Sequence, residues 1–319
     1  MPNKGNFNSE EIQTFVSRPI YDSNIICSKD TSYPRISVVI PSYNQAQFLE
    51  RTILSILNQN YPNTEIIIMD GKSNDGSVEI IKKYEPYISY WVSEPDNGQS
   101  SAINRGFAKA TGDLIGWQNS DDIYLPGFFY AMADNFLKYP KSQLFIGNVY
   151  IINEDNRITW SSNFIPFSIN HLIYFGWNLS SQAALVNHEI VKEVGPLRED
   201  IQVEFDWDWF IRVGRIARHV VLDKRYGGCY RMHLASKFMT YEHESRWPIE
   251  AQILRSHGIR VREEHRHSHR RRWQTLLFKI RVKFYTILLY SPKPMLNSFR
   301  RLIIWYLARQ GIVCKGFEV

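Results

Sequence analysis

A chain of 319 residues with 44% hydrophobic and 22% charged side chains has the length and composition of one large α/β domain, alone or with an appendage, and excludes intrinsic disorder for most of its length. Three scattered cysteines, Cys27, Cys229 and Cys314, exclude a disulfide framework and a cysteine zinc site. The net charge of +6 is uneven: residues 265–319 carry twelve lysines and arginines against the single acid Glu318, so the main body is mildly acidic and is not expected to bind nucleic acid.

Residues 1–34 are polar, end at Tyr33-Pro34 and read as a loosely packed extension. Their start, MPNKGNFNSEEIQTF, lacks the apolar stretch of a secretory signal. Ile36-Ser37-Val38-Val39-Ile40 is a β-branched run stopped by Pro41, the pattern of a buried parallel strand. Phe48, Leu49, Ile53, Ile56 and Leu57 recur at helical spacing over residues 46–59, and Tyr61-Pro62-Asn63 is a break. Residues 65–69 predict a second buried strand ending at Asp70-Gly71, and residues 77–84 a helix capped by Asn74 or Asp75. A third strand is expected over 88–92, a helix over 100–110 and a fourth strand over 113–117. Strands alternating with helices at this interval specify a doubly wound, mostly parallel sheet, whose ligands bind beyond the carboxyl ends of the strands. Polar residues gather at those ends: Ser42-Tyr43-Asn44, Asp70, Glu94 to Gln99, and Asn119 to Asp122.

Those loops suit particular chemistry. Asp121 and Asp122, on a tight turn after a buried strand, suit a hard divalent cation, and they equally suit a helix cap before Ile123. Asp70 is placed to accept hydrogen bonds from a ribose or base, or simply to turn the chain. Ser93 to Ser101 is rich in Gly, Ser, Asp and Asn but matches neither GxGxxG nor GxxxxGK[ST]. In Phe205-Asp206-Trp207-Asp208-Trp209, acids among aromatics are expected to be partly desolvated, which raises a carboxylate's pKa and improves it as a general base; the alternative is a helix start capped by Asp206. Tyr230-Arg231-Met232-His233 with Ser236-Lys237 brings cations and an imidazole together, which favours phosphate contact.

Taken in order, SVVIPSYNQAQFLERTILSILNQNYPNTEIIIMDGKSNDGS, SEPDNGQSSAINRGFAKATGDLIGWQNSDD, QAALV, EVGPLRED, FDWDWFIR and YRMHLASK resemble the family 2 glycosyltransferases over roughly residues 35–240. The resemblance implies the GT-A fold, a Rossmann-like, mostly parallel sheet flanked by helices, over 35–245, between the extension 1–34 and a basic α-helical appendage over 246–319. It implies inverting transfer of a sugar from a nucleotide-diphosphate donor to a hydroxyl of a glycan or lipid-linked acceptor, in the manner of bacterial polysaccharide assembly. Ser42, Asn44 and Asp70, with Pro41 and Tyr43 on the same loop, then lie around the nucleoside, and Asn104 lies near the donor. Asp121 takes the ligating position of the DxD motif for Mn²⁺ or Mg²⁺, with Asp122 beside it and Asn119 in place of the first acid. Asp206 is the general base with Asp208 in reserve, and Arg231 and His233 close over the diphosphate or metal. Gly71 stands where many members carry a second acid, which leaves the base open.

In the tail, Arg270-Arg271-Arg272-Trp273 precedes Leu276, Leu277, Ile280, Phe284, Ile287 and Leu288, and Arg300-Arg301 precedes another apolar-aromatic run. We read a pair of interfacial helices on a membrane surface; a basic helical cap on the catalytic domain, a strand over 278–284 and nucleic-acid binding by the tail are the competitors. No run of about 18 apolar residues predicts a membrane span. The expected location is cytoplasmic, peripheral on the inner membrane face. A catalytically inactive scaffold of the same fold is the rival class, raised by Asn119 and Gly71 and opposed by Asp121, Asp206 and His233.

Overall fold

The computed structural model describes residues 13–14, 30–174, 177–234, 236–237, 243–259 and 261. Among them the elements run β1 (Ile36–Ser42), α1 (Ala46–Leu57), β2 (Thr64–Asp70), α2 (Ser77–Lys83), β3 (Tyr90–Ser93), α3 (Gln99–Phe107), β4 (Leu114–Trp117), β5 (Ile123–Tyr124), α4 (Phe128–Lys138), β6 (Leu144–Ile152), β7 (Ile158–Ser162), α5 (Ile169–Tyr174), β8 (Ala184–Asn187), α6 (His188–Val194), α7 (Phe205–Ile216), β9 (Val220–Arg231) and α8 (His243–Ser256). The chain divides into two compact units, Met1–Arg260 and Val261–Val319, so α8 belongs to the first and the expected boundary at 246 falls inside it. The expectations for the basic tail lie outside the described residues.

One sheet holds nine strands in the order β3-β2-β1-β4-β8-β6-β9-β5, with β7 on β6. The pairs β2–β3, β1–β2 and β1–β4 are parallel, as the alternating sequence requires. Beyond β4 the sheet turns mixed: β8 is antiparallel to β4 and β6, β7 to β6, and β5 to β9, while β6 and β9 are parallel. The first half of the sheet is wholly parallel and the second half mixes parallel and antiparallel pairs.

β1 is buried throughout because helices cover both its faces. Ile36, Val38 and Ile40 join Leu49 and Ile53 of α1, Ile81 of α2, and Phe129 and Met132 of α4 in one apolar cluster. Burying each such side chain contributes about 1.5–3 kcal/mol. On the other face α3 lies so close that a Cβ on Gly106 would sit 2.3 Å from Val39 Cγ1. β1 also runs two residues further than expected, through Pro41. The ladder with β4 ends at Val39↔Trp117, and Pro41 shares the edge of Val39, so its missing N–H faces an edge where pairing has already stopped. A second cluster joins β4 to α7: the Trp117 ring stacks on Phe210 at 5.4 Å and meets Trp209 edge-on at 5.5 Å, with Phe107 of α3 alongside. Among its described residues the extension expected to be loose is held at two places: Gln13 bonds the turn between β6 and β7, and the carbonyls of Tyr33 and Pro34 accept from Asn63 Nδ2 and the Tyr61 hydroxyl.

Candidate active site

β1 and β2 end side by side at Ser42 and Asp70, and both residues are buried. Asp70 accepts from the Ser73 N–H at 2.9 Å, the Ser73 hydroxyl at 2.5 Å and the Ser93 hydroxyl at 2.6 Å, so its carboxylate ties together the loops after β2 and β3. Asn44, with φ +51°, accepts on its side-chain oxygen from the Asn74 N–H and donates its own N–H to Ser73 Oγ. Asp75, one of the two expected caps, accepts from the N–H groups of both Ala46 at 2.8 Å and Ser77 at 3.1 Å and so caps α1 and α2 together. Tyr43 projects from this floor, 64% exposed. A Cβ on Gly71 would lie 3.0 Å from Asp96 Oδ2 and 3.2 Å from Tyr43 Cδ2, so the missing side chain lets the Asp96 carboxylate approach the strand end.

The loop after β4 holds the acids. Thr52 Oγ1 of α1 lies 2.9 Å and 2.7 Å from the carbonyl oxygens of Ser120 and Asp122 and fixes the loop from below. Asp121 points its Oδ2 at His233 Nε2, 2.9 Å away. Beside them Arg231 is 1% exposed. Its Nε donates to the Asp121 carbonyl at 2.6 Å, and its Nη1 to Asn153 O at 3.1 Å and Asn156 Oδ1 at 2.7 Å. Its Nη2 is buried without a partner. The Phe48 ring supports both side chains, with the guanidinium carbon 4.7 Å and the imidazole ring 4.9 Å from its centroid.

Asp122 departs from expectation. It is fully buried and accepts from Asn119 Nδ2 at 3.0 Å, Gln182 Nε2 at 2.6 Å and the Arg231 N–H at 2.7 Å. Burial pushes its pKa well up, and the charge of Asp121 adds to this. Asp122 thus joins β9 and the approach to β8 to the acidic loop, accepting on Oδ1 from Arg231 and on Oδ2 from Asn119 and Gln182. Asn119, whose side-chain oxygen accepts from Gln99 at 2.8 Å, is likewise a loop brace. Asn104 spends its amide on Leu197 N–H, Leu197 O and Glu199, so it anchors the 197–199 loop.

α7 opens the far wall. Its N-cap position is Glu204, at φ +61°, which places Asp206 in the first turn and not at the cap. Asp206 is half-buried, and burial pushes its pKa up to about 6 against the Trp207 N–H that it accepts and the nearby positive charge of Lys237. Asp208 is the opposite case: 1% exposed, with Arg212 Nε on one oxygen at 3.0 Å and His257 Nε2 on the other at 3.0 Å. Burial alone would raise its pKa, but the His257 hydrogen bond and the Arg212 charge hold it below the usual carboxylate range. Asp208 therefore locks α7 to the chain past α8 and has no face open to a substrate proton, which removes it as a reserve base.

A family model described as glycosyl transferase family 2 matches residues 37–194. An uncharacterised glycosyltransferase of Mycobacterium tuberculosis is 31% identical over 196 residues, spanning 60% of this chain and 73% of the relative. The chain belongs to glycosyltransferase family 2. A second uncharacterised glycosyltransferase, from Rickettsia prowazekii, is 26% identical over 67% of this glycosyltransferase and 70% of its own length. Among solved structures, S. aureus TarS 1–349 in complex with UDP-GlcNAc superposes with a TM-score of 0.58 at 14% identity, over 73% of this chain and 69% of that one. The mannosyltransferase PcManGT from Pyrobaculum calidifontis, in complex with GDP-Man and Mn²⁺, gives 0.52 at 16% identity over 94% and 89%. These likenesses share the GT-A fold, and this protein is a glycosyltransferase by family.

Within the glycosyltransferase, the structure brings together three of the expected groups, Asp121, Arg231 and His233. Sequence reasoning missed Phe48, Thr52, Gln182, Asn153 and Asn156, the braces behind them. Phe48 and Thr52 read as ordinary positions of an amphipathic helix, and the asparagines as turn formers. Among the described residues no three metal-ligating side chains converge.

Proposed function

We propose that this glycosyltransferase moves a sugar from a nucleotide-diphosphate donor to a hydroxyl of a glycan or lipid-linked acceptor, inverting the anomeric configuration. The observation that carries the reading is the trio of Asp121, His233 and Arg231, a carboxylate meeting an imidazole at 2.9 Å beside a buried guanidinium with one unpartnered nitrogen. An anionic diphosphate is what completes such a cluster. The residues fit a divalent cation with hard oxygen and imidazole ligands from Asp121 and His233, the remaining positions falling to donor oxygens and water. Such a cation, Mg²⁺ or Mn²⁺, supplies charge neutralisation for the leaving diphosphate.

The chain's own residues do the rest. Arg231 holds diphosphate oxygens through Nη2. The loops around Ser42, Asn44 and Asp70 seat the nucleoside, with Tyr43 as an exposed ring for base stacking. Asp206, with its pKa raised toward neutrality, accepts the acceptor's hydroxyl proton as the oxygen attacks the anomeric carbon. Direct displacement needs no enzyme nucleophile and inverts the centre. The basic residues 265–319 hold the enzyme at an anionic cytoplasmic membrane surface, where a lipid-linked acceptor lies.

The test is a donor screen. Purified protein with Mn²⁺ or Mg²⁺ is mixed with a panel of nucleotide sugars and a lipid-linked saccharide extract, and nucleotide release is followed with and without EDTA. Metal-dependent release from one donor, abolished in Asp121→Ala, is expected. EDTA-insensitive release, or a variant as active as the parent, would sink the assignment of the cation to Asp121.

A further inference from the structure

We propose that Gln13, in the N-terminal segment and outside the matched family region, is a positioning residue for the diphosphate clamp. The inference rests on the donor-site reading above. The geometry runs from Gln13 through the β6–β7 turn to Arg231 and His233.

That turn is built tightly. Asn156 donates its N–H to Asn153 O at 3.1 Å, the Arg157 N–H reaches Asn153 Oδ1 at 2.8 Å, and Asn156 takes φ +62°, a left-handed conformation that asparagine tolerates. The same turn then grips the segment carrying the clamp at four points. Asn153 O and Asn156 Oδ1 accept from Arg231 Nη1, Ile152 O accepts from the Met232 N–H at 2.8 Å, and Glu154 Oε1 accepts from the Leu234 N–H at 3.0 Å. His233 is therefore flanked on both sides by backbone N–H groups bonded to one turn. Asn153 O and Asn156 Oδ1 both bond Nη1, which leaves the buried Nη2 for an anion.

The turn is also where the ladder is irregular. Ile151 pairs with Trp160 but Ile152 pairs with Ile158, so Thr159 is an extra residue, and beyond it the Asn153 N–H donates to Arg157 O at 3.0 Å to close the hairpin end. Gln13 braces this irregular end. Its Nε2 donates to Asn156 O at 3.1 Å, and its Oε1 accepts from the Ile158 N–H at 2.9 Å. A primary amide bonded this way on both its edges copies a strand residue and holds Asn156 and Ile158 at a fixed spacing. Asn156 then presents its Oδ1 to Arg231. The N-terminal segment thereby sets the reach of a guanidinium that is far from it in sequence.

The experiment uses the full chain and isothermal titration of UDP, GDP and ADP in the presence of Mn²⁺. Variants are Gln13→Ala, Asn156→Gly, which keeps the positive φ while removing the contact to Arg231, and the double variant. Loss of two neutral hydrogen bonds that act on the clamp predicts roughly fivefold weaker nucleotide binding in Gln13→Ala. Because both single changes act through one turn, the double variant is expected to bind no more weakly than the worse single variant, where independent sites would multiply. A fall in melting temperature with unchanged nucleotide affinity marks a merely structural role for Gln13 and overturns the proposal, as do multiplying effects. If the unaltered protein binds none of the nucleotides, the donor-site reading itself fails, and this proposal fails with it.

Discussion

Two aspartates two residues apart on α7 meet opposite fates, and their neighbours decide it. Asp206 has one backbone donor and a nearby lysine, so burial wins and its pKa rises to about 6, whereas Asp208 has an arginine and a histidine, and their pairing wins. A base with that pKa must be ionised to act, so kcat is expected to fall tenfold per unit of pH below about 6, read from a pH–rate profile. The same shift has a stability side. A carboxyl raised from about 3.9 favours the protonated native state, so ionisation destabilises the fold progressively from about pH 4 to pH 6. Asp206→Asn should therefore lose about 10²–10⁴ in kcat. Urea melts should show it about 1–2 kcal/mol more stable than the parent at pH 7.5, with no difference below pH 4. A variant equally active but less stable would remove Asp206 as base. At this scale the sequence reported residue types well and partners poorly. Asp121, Arg231 and His233 could be read from their motifs. The fates of Asp208, Asp122 and Asn104 depend on His257, Gln182 and Leu197, which lie 49, 60 and 93 positions away and carry no local signal.

At the scale of elements, close packing of α3 on β1 sets the level of the loops that both elements carry. Adding a methyl at Gly106 gains about 1 kcal/mol of helix propensity but must displace a Val39 methyl group 2.3 Å away. Overpacking of a rigid strand outweighs that gain, so Gly106→Ala is expected to lose about 1–3 kcal/mol, measured by urea denaturation. A neutral or stabilising result would mean that α3 slides freely on the sheet. The aromatic cluster of Trp117, Trp209 and Phe210 acts similarly between β4 and α7, holding the strand that leads to the acidic loop against the helix that carries Asp206. Elements up to β4 were legible because each shows either a short continuous apolar run or a period near 3.6 between strong breaks. The strands after β4 were not. β5 has two residues, β7 is exposed at Thr159 and Trp160, and β9 interrupts its apolar run with Asp223-Lys224-Arg225.

For the whole molecule, charge divides the chain close to where the two compact units meet in the sequence. The surplus of twelve basic residues against one acid lies entirely past residue 264, beyond the first compact unit. If that region binds a membrane surface, the full chain should co-sediment with vesicles containing anionic lipid at low salt and release as ionic strength rises, because screening shortens the reach of exposed charge. A chain ending at Arg260 should stay in the supernatant at every salt concentration. Equal sedimentation of both would place the membrane contact elsewhere. Among the described residues no helix is long and apolar enough to cross a membrane.

The strand order bears on the timing of synthesis. β5 follows the acidic loop directly in the chain, yet it pairs with β9 at the far edge of the sheet, and Asp121 meets its imidazole partner 112 residues later. At a ribosomal pace of about 5–20 residues per second, the acidic loop is made on the order of ten seconds before His233. During that interval the emerging half-sheet carries the ends of β1 and β2 at Ser42 and Asp70 but neither the guanidinium nor the imidazole. A nascent chain thus holds Asp121 without its guanidinium and imidazole neighbours until β9 and the residues just after it are made.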